Sequence, residues 1–230
     1  MTVSVALAAY NGEKYIKEQL CSIIPQLSGD DEIVVSLDPS TDGTRQVIEA
    51  LGDSRVKIVD GEGRGLIENF ENAIRNCKND LIFLCDQDDI WFENKVERVK
   101  SEFESDEDLL LVMHDARVTD EELKTLNESF FEVRGTGTGI IKNVIKNTYM
   151  GCCMALKKEA LDYILPFPEK LPMHDQWIGL ICEKRGKVKL INEPLILWRR
   201  HGDNASKTQH EGVLQMVKWR VSIIRSILSK

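Results

Sequence analysis

Several things this sequence lacks narrow its function before any motif is read. Basic residues are in the minority: 30 lysines and arginines stand against 38 aspartates and glutamates, a net charge of −8. Nucleic-acid backbones are held through basic patches, so DNA and RNA are excluded as main partners. A nucleotide, whose charge one metal ion can neutralise, is not excluded. No apolar run approaches the roughly 20 residues of a bilayer-spanning helix. Met1-Thr2-Val3-Ser4-Val5 has no basic region ahead of an apolar one, so it is not a signal peptide. The expectation is a soluble or peripheral cytoplasmic protein. The six cysteines, Cys21, Cys77, Cys85, Cys152, Cys153 and Cys182, form no C-x-x-C pair and read as buried reduced thiols, not a zinc site. Two phosphate-binding signatures are also missing. Ala9-Tyr10-Asn11-Gly12 replaces the G-x-G-x-x-G of a dinucleotide fold, and no G-x-x-x-x-G-K-[ST] loop occurs.

What is present alternates. Val3 to Ala9 is an apolar run broken by Asn11-Gly12, and Glu13 to Ile24 then carries apolar residues at helical spacing, closed by Pro25. Glu32 to Leu37 reads as a strand and Thr44 to Leu51 as a helix; Val56 to Val59 and Leu66 to Cys77 repeat the pair. Leu81 to Cys85 is apolar at every position, as a strand buried on both faces of a parallel sheet is. Trp91 to Phe103 reads as a charged helix and Leu109 to Met113 as a fifth strand. This rhythm predicts an α/β fold with right-handed crossovers.

Past about residue 115 the rhythm changes. The polar stretch Thr119 to Gly139, ending in Gly135-Thr136-Gly137-Thr138-Gly139, predicts a long mobile loop. Cys152 to Leu156, Val188 to Ile191 and Leu195 to Trp198 read as strands, and Asp175 to Arg185 as a helix. Glu211 to Leu228 predicts a terminal helix with Leu214, Val217, Val221, Ile224 and Leu228 on one stripe. Packing of that stripe on the core or on a second subunit is the favoured reading. Lys218, Arg220, Arg225 and Lys230 lie off the stripe and leave contact with an anionic membrane as the other.

Ligands of open α/β sheets bind outside the carboxyl ends of the strands. The acids follow strand ends here: Asp38 after the second strand, and Asp86-Gln87-Asp88-Asp89 after the fourth. Carboxylates gathered so closely repel one another, and a divalent cation is the natural counter-ion. Mg²⁺ or Mn²⁺ prefers oxygen ligands and takes one or two carboxylates plus substrate phosphates. A helix cap accounts for one of these acids, not for three in four residues. An EF-hand loop counted from Asp86 needs glycine where Trp91 stands. The glycine-rich Gly61-Glu62-Gly63-Arg64-Gly65 reads equally as a turn or as a substrate-facing loop. Asp175 reads as a helix cap or, given the acids upstream, as a general base. His201 reads as an ordinary polar residue, a metal ligand or, with Arg199 and Arg200, part of a diphosphate clamp.

Together these motifs resemble the family 2 inverting glycosyltransferases of the GT-A fold, in particular bacterial rhamnosyltransferase-like members, from Val3 to about Ser206. Val5 to Gly12 is similar to the opening strand and nucleotide loop, and Ser36 to Thr44 to the "DDGSTDGT" segment. Phe83 to Trp91 is similar to the "SDQDDIW" metal motif, the most specific match. Gly151 to Leu156 resembles the acceptor-side stretch, His174-Asp175 the "ED" base, and Trp198-Arg199-Arg200-His201 the "YRxH" motif. Leu37 and His174 stand where the family has acids, and no Q-x-x-R-W motif of processive synthases occurs.

The resemblance implies a GT-A domain over 1–206, with a nucleotide-sugar half (1–115) and an acceptor half (116–206), and a C-terminal helix over 207–230. It implies Asp175 as the base. Ala9, Tyr10, Asn11, Asp38, Asn69, Asp86, Gln87 and Asp88 would hold the nucleotide sugar. Gly151, Cys152, His174 and Trp177 would line the acceptor side. Asp88, His201 and Asp86 would hold Mn²⁺ or Mg²⁺. The partners implied are a nucleoside-diphosphate sugar and a glycan or lipid-linked acceptor, the setting bacterial cell-surface polysaccharide synthesis. The loop from Thr119 to Gly139 is expected to close over the donor. Rival readings are a Mg²⁺-dependent phospho- or nucleotidyltransferase using the same acids, and a non-catalytic sugar-nucleotide-binding subunit. A D-x-D phosphatase carries its nucleophile after the first strand, whereas the acids here follow the fourth.

Overall fold

Apolar runs and amphipathic stretches take up strands and helices in the expected order through the first half of the chain. The computed structural model describes residues 1–202 and 212–230, without the side chains of Val213 and Leu214. The expected boundary at 206/207, the start of the terminal helix at Glu211 and the side chain of Leu214 lie outside the described residues. The elements are β1 (Val3–Ala9), α1 (Ile16–Ile23), β2 (Glu32–Leu37), α2 (Thr44–Glu49), β3 (Val56–Asp60), α3 (Leu66–Asn76) and β4 (Leu81–Cys85). Then come β5 (Ile90–Trp91), α4 (Lys95–Ser105), β6 (Leu109–Thr119), β7 (Thr125–Asn127), α5 (Phe130–Arg134) and α6 (Ile140–Ile145). β8 (Met154–Lys157), α7 (Leu161–Ile164), α8 (His174–Arg185), β9 (Lys187–Arg199) and α9 (Val213–Ser229) complete the chain.

Among the described residues the strands form one sheet in the order β3-β2-β1-β4-β8-β6-β9-β5, with β7 paired to β6. β1 pairs in parallel with β2 and β4, and β2 with β3. β8 runs antiparallel to both β4 and β6, and β6 pairs in parallel with β9. The carboxyl ends of β1, β2, β4, β6 and β9 therefore point to the same edge. β1, β2 and β4 are buried at every residue, which their side-by-side central placement explains.

The second half corrects several expectations. β6 runs on to Thr119, so the expected division at 115/116 falls inside a strand. The stretch expected to be one long mobile loop folds into β7 and α5. Asp115 organises it, accepting hydrogen bonds from Ala116 N, Ser129 Oγ and Phe131 N. The two expected strands at 188–191 and 195–198 are one bent strand, β9, whose register against β6 shifts around His114 to Arg117. The helix expected from Trp91 starts only at Lys95, because Ile90–Trp91 pair with β9 instead. On α9, Val217, Val221, Ile224 and Leu228 face outward, while Ile223 and Ile227 are buried. The favoured packing face is thus not the one in the core. Among the described residues no helix is long and apolar enough to cross a membrane.

Candidate active site

Four loops meet at the shared strand edge. Backbone and side-chain bonds lock them together before any ligand is considered. Asp38 N donates to Ala9 O at 2.9 Å, so the loop after β2 continues the pairing with β1. Asn69 on α3 donates from Nδ2 to the same carbonyl at 3.1 Å. Gln87 clamps the loop after β1: Tyr10 N donates to its Oε1 at 2.9 Å and its Nε2 donates to Tyr10 O at 3.0 Å. A side chain at Gly12 would collide with that amide, its Cβ falling 2.2 Å from Gln87 Oε1. Gly63 N donates to Asp38 Oδ1 at 3.0 Å, which folds the Gly61–Gly65 loop against Asp38. That loop is both a turn and a wall of the cleft, since Glu62, Gly63 and Gly65 line it.

The loops enclose a cleft of about 690 Å³. It brings together most of the expected site residues: Ala9, Tyr10, Asp38, Asn69, Asp86, Gln87 and Asp88 with Gly151, Cys152, His174 and Asp175. Asn69 is buried and its Oδ1 has no protein partner, so it offers an acceptor at the cleft wall. Three expected residues are placed elsewhere. Trp177 is fully buried and donates from Nε1 to Ile164 O at 2.9 Å, so it is a core residue, not part of the acceptor side. Asn11 has φ of 47° and ties two loops together, receiving Thr41 N on its Oδ1 at 2.9 Å, but does not line the cleft. His201 sits behind the wall, with Nε2 2.8 Å from Asp88 Oδ2 and its ring 4.7 Å from that of Tyr15.

The acids divide by surroundings. Burial, with the nearby charges of Asp88 and Asp175, pushes Asp86 up to about 7. Asp89 is also held well above the ordinary range, by burial and by Asp88 and Asp86. It is no helix cap: its Oδ1 receives Arg199 N at 3.0 Å and so staples the DQDD loop to the end of β9. Lys95 is buried behind the loop, its ammonium donating to Cys152 O at 3.0 Å and lying 3.7 Å from the Trp91 ring centre. Burial lowers its basicity.

This donor set fits a hard divalent cation. Asp86, Asp89 and Cys152 offer ligand atoms within 4.8 Å of one another. The Cys152 thiol is held protonated by its hydrogen bond with the free thiol of Cys153 and by burial, which disfavours a soft-metal thiolate site. Asp86 and Asp88, which line the cleft, are the carboxylates such an ion could share with phosphates, with His201 behind Asp88.

Asp175 also lines the cleft, from the first turn of α8, whose N-cap is Met173. Its Oδ1 receives Asn147 Nδ2 at 3.0 Å and Gln176 N at 2.5 Å. Burial nevertheless pushes it up to about 6, into the range of a working general base. His174 stacks on Phe70 with ring centres 4.0 Å apart, and burial pushes it down to about 3, so it is neutral. Sequence reasoning missed Trp198, Met150 and Met173 on the lining. Trp198 opens the motif that carried His201 and could have been found there. Asn147 gives no sequence signal, since only the fold brings it to Asp175.

The protein-family model described as Glycosyl transferase family 2 matches residues 4–165. The dTDP-rhamnosyl transferase RfbG of Shigella flexneri is 27% identical over 231 residues, covering 86% of this chain and 72% of that protein. An uncharacterized glycosyltransferase of Nostoc sp. is 25% identical over 214 residues, 89% of this chain and 66% of that protein, so the chain spans about two thirds of the length of these two relatives. Among solved structures, TarS of S. aureus in complex with UDP-GlcNAc is similar with a TM-score of 0.79 at 18% identity, over 99% of this chain and 67% of that one. Glucosyl-3-phosphoglycerate synthase of Mycobacterium tuberculosis, in complex with Mn²⁺, UDP and phosphoglyceric acid, has a TM-score of 0.62 at 19% identity, over 99% of this chain and 78% of that one. The fold is that of the GT-A glycosyltransferases.

Proposed function

Because the chain belongs to glycosyl transferase family 2, we propose that its cleft moves one sugar from a nucleoside-diphosphate donor to an acceptor hydroxyl with inversion at the anomeric carbon. The observation that carries this reading is that Asp175, poised at about 6, and the acid pair Asp86 and Asp88 line one cleft, with the charge of Asp175 felt at Asp86. The loops that follow β1, β2, β3 and β4 hold the donor, and Gly151, His174 and Asp175 face the acceptor. Asp38 and Asn69 present acceptors to the nucleoside, and Gln87 keeps the Tyr10 loop in place to receive it. Asp86 and Asp88, with His201 bonded behind Asp88, would hold Mn²⁺ or Mg²⁺, which would supply positive charge against the leaving diphosphate. Asp175 takes the proton as the hydroxyl oxygen attacks, and the bond from the anomeric carbon to the diphosphate breaks on the opposite face. Neutral His174, beside it, lines the acceptor side.

The stretch 119–139 contributes none of the residues lining the cleft. The setting we propose is cytoplasmic, non-processive hexosyl transfer onto a glycan or lipid-linked acceptor during cell-surface polysaccharide synthesis. The kinship with a dTDP-rhamnosyl transferase of Shigella flexneri supports the transfer of a sugar from a nucleotide donor.

The test is a panel of sugar nucleotides with and without Mn²⁺, read by thermal shift and by nucleoside-diphosphate release when acceptors are added. A metal-dependent shift with one nucleotide family, followed by acceptor-dependent release, is the expected result. Donor binding with no metal dependence, or no binding of any sugar nucleotide, overturns the reading.

A further inference from the structure

The outward stripe of α9 has a counterpart on its neighbour. Val217, Val221, Ile224 and Leu228 follow helical spacing along one side of α9, and Leu228 is 77% exposed. On α6, Ile141 and Ile145 stand one turn apart and are 78% and 60% exposed. The two helices are tied to each other: Arg220 donates to Ile145 O from Nε at 3.2 Å and from Nη2 at 2.8 Å. The other side of α9 is anchored, with Ile223 and Ile227 buried and Lys184 donating from Nζ to Ile227 O at 2.7 Å. The exposed stripes are therefore held in place by packing behind them. Six large aliphatic side chains left in water on two linked helices are more than scattered surface apolars and mark a contact face.

Charge decides what that face meets. The segments 140–147 and 213–230 contain Lys142, Lys146, Lys218, Arg220, Arg225 and Lys230 and no aspartate or glutamate, in a chain whose net charge is −8. A second copy docked by two-fold symmetry would set this basic patch against itself. An anionic surface with an apolar layer beneath it satisfies both features at once. We propose that α6 and α9 together form a docking face for an anionic lipid bilayer. The aliphatic stripes enter at headgroup depth and the lysines and arginines meet the lipid phosphates. The proposal does not rest on the sugar-transfer reading.

Sedimentation of the full chain with phosphatidylcholine vesicles, with and without phosphatidylglycerol, tests it. Binding is expected only where phosphatidylglycerol is present, weakening as salt is raised. The double variant Ile145→Asp, Val221→Asp is expected to bind about tenfold more weakly or worse, with melting unchanged. Should it misfold, Lys218→Glu with Arg225→Glu, at exposed positions, gives the same readout. Equal binding to both vesicle types, no binding to either, or binding that a folded variant leaves unaltered overturns the proposal. A dimer seen by light scattering and lost in the variant, without vesicle binding, overturns it in favour of a second copy.

Discussion

Asp175 shows how one side chain carries both a function and a cost. Its pKa, raised from 3.8 to about 6 by burial, means the folded chain holds this proton more tightly than the unfolded chain. The cost to stability is absent below 3.8, grows between 3.8 and about 6, and is complete above that. Asp175→Asn removes the charge and keeps an oxygen for Asn147 and Gln176 N to donate to. At neutral pH the variant is expected to gain about 1–3 kcal/mol in denaturant unfolding. It is also expected to lose roughly 10²–10⁴ in transfer rate. A variant that transfers near the parent rate while folded would show that another group takes the proton. In the parent, kcat/KM is expected to rise with pH through an inflection near 6, the value at which the carboxylate becomes a base. A profile flat from pH 5 to 7 contradicts that role.

At the scale of elements, the site depends on loops that bind each other. Asp38 lies beneath the Gly61–Gly65 loop so closely that a Cβ at Gly61 would stand 2.2 Å from Asp38 Oδ1 and 3.0 Å from its Cα. Gly61→Ala is expected to cost about 1–3 kcal/mol and to weaken nucleotide binding, measured by denaturant unfolding and calorimetry. Unchanged values in both would mean the loop is free to shift. The acid motif was legible as four letters after an apolar strand, but the division of labour within it was not. Asp89 resembled a helix cap because Trp91 resembled a helix start. Pairing of Ile90–Trp91 with β9 moves the helix to Lys95 and gives Asp89 the amide of Arg199 instead. Local propensity lost here to a strand partner more than a hundred residues away in the chain.

For the molecule as a whole, stability and metal binding are separable. The core is apolar and centred on β1, β2 and β4, and the acids that would hold an ion lie at the rim of the sheet, in the cleft. A chelator is therefore expected to leave the melting temperature of the ligand-free protein unchanged while abolishing the stabilisation by a nucleoside diphosphate, about 2.7 kcal/mol at a hundredfold excess over Kd. Loss of the fold on chelation would instead make the ion structural.

The sequence by itself determined the α/β class and the strand-end position of Asp38 and Asp86 to Asp89. These follow from short-range patterns: apolar runs, helical spacing and acids after strands. Tertiary structure decided which of those residues share a cleft. Trp177 looked like a site residue near Asp175, yet two steps along a helix turn a side chain by about 200°, and it went into the core. The outward turn of Val217, Val221, Ile224 and Leu228 has the same cause. A helix with two apolar sides can bury either, and the space left beside α6 and α8 admitted Ile223 and Ile227.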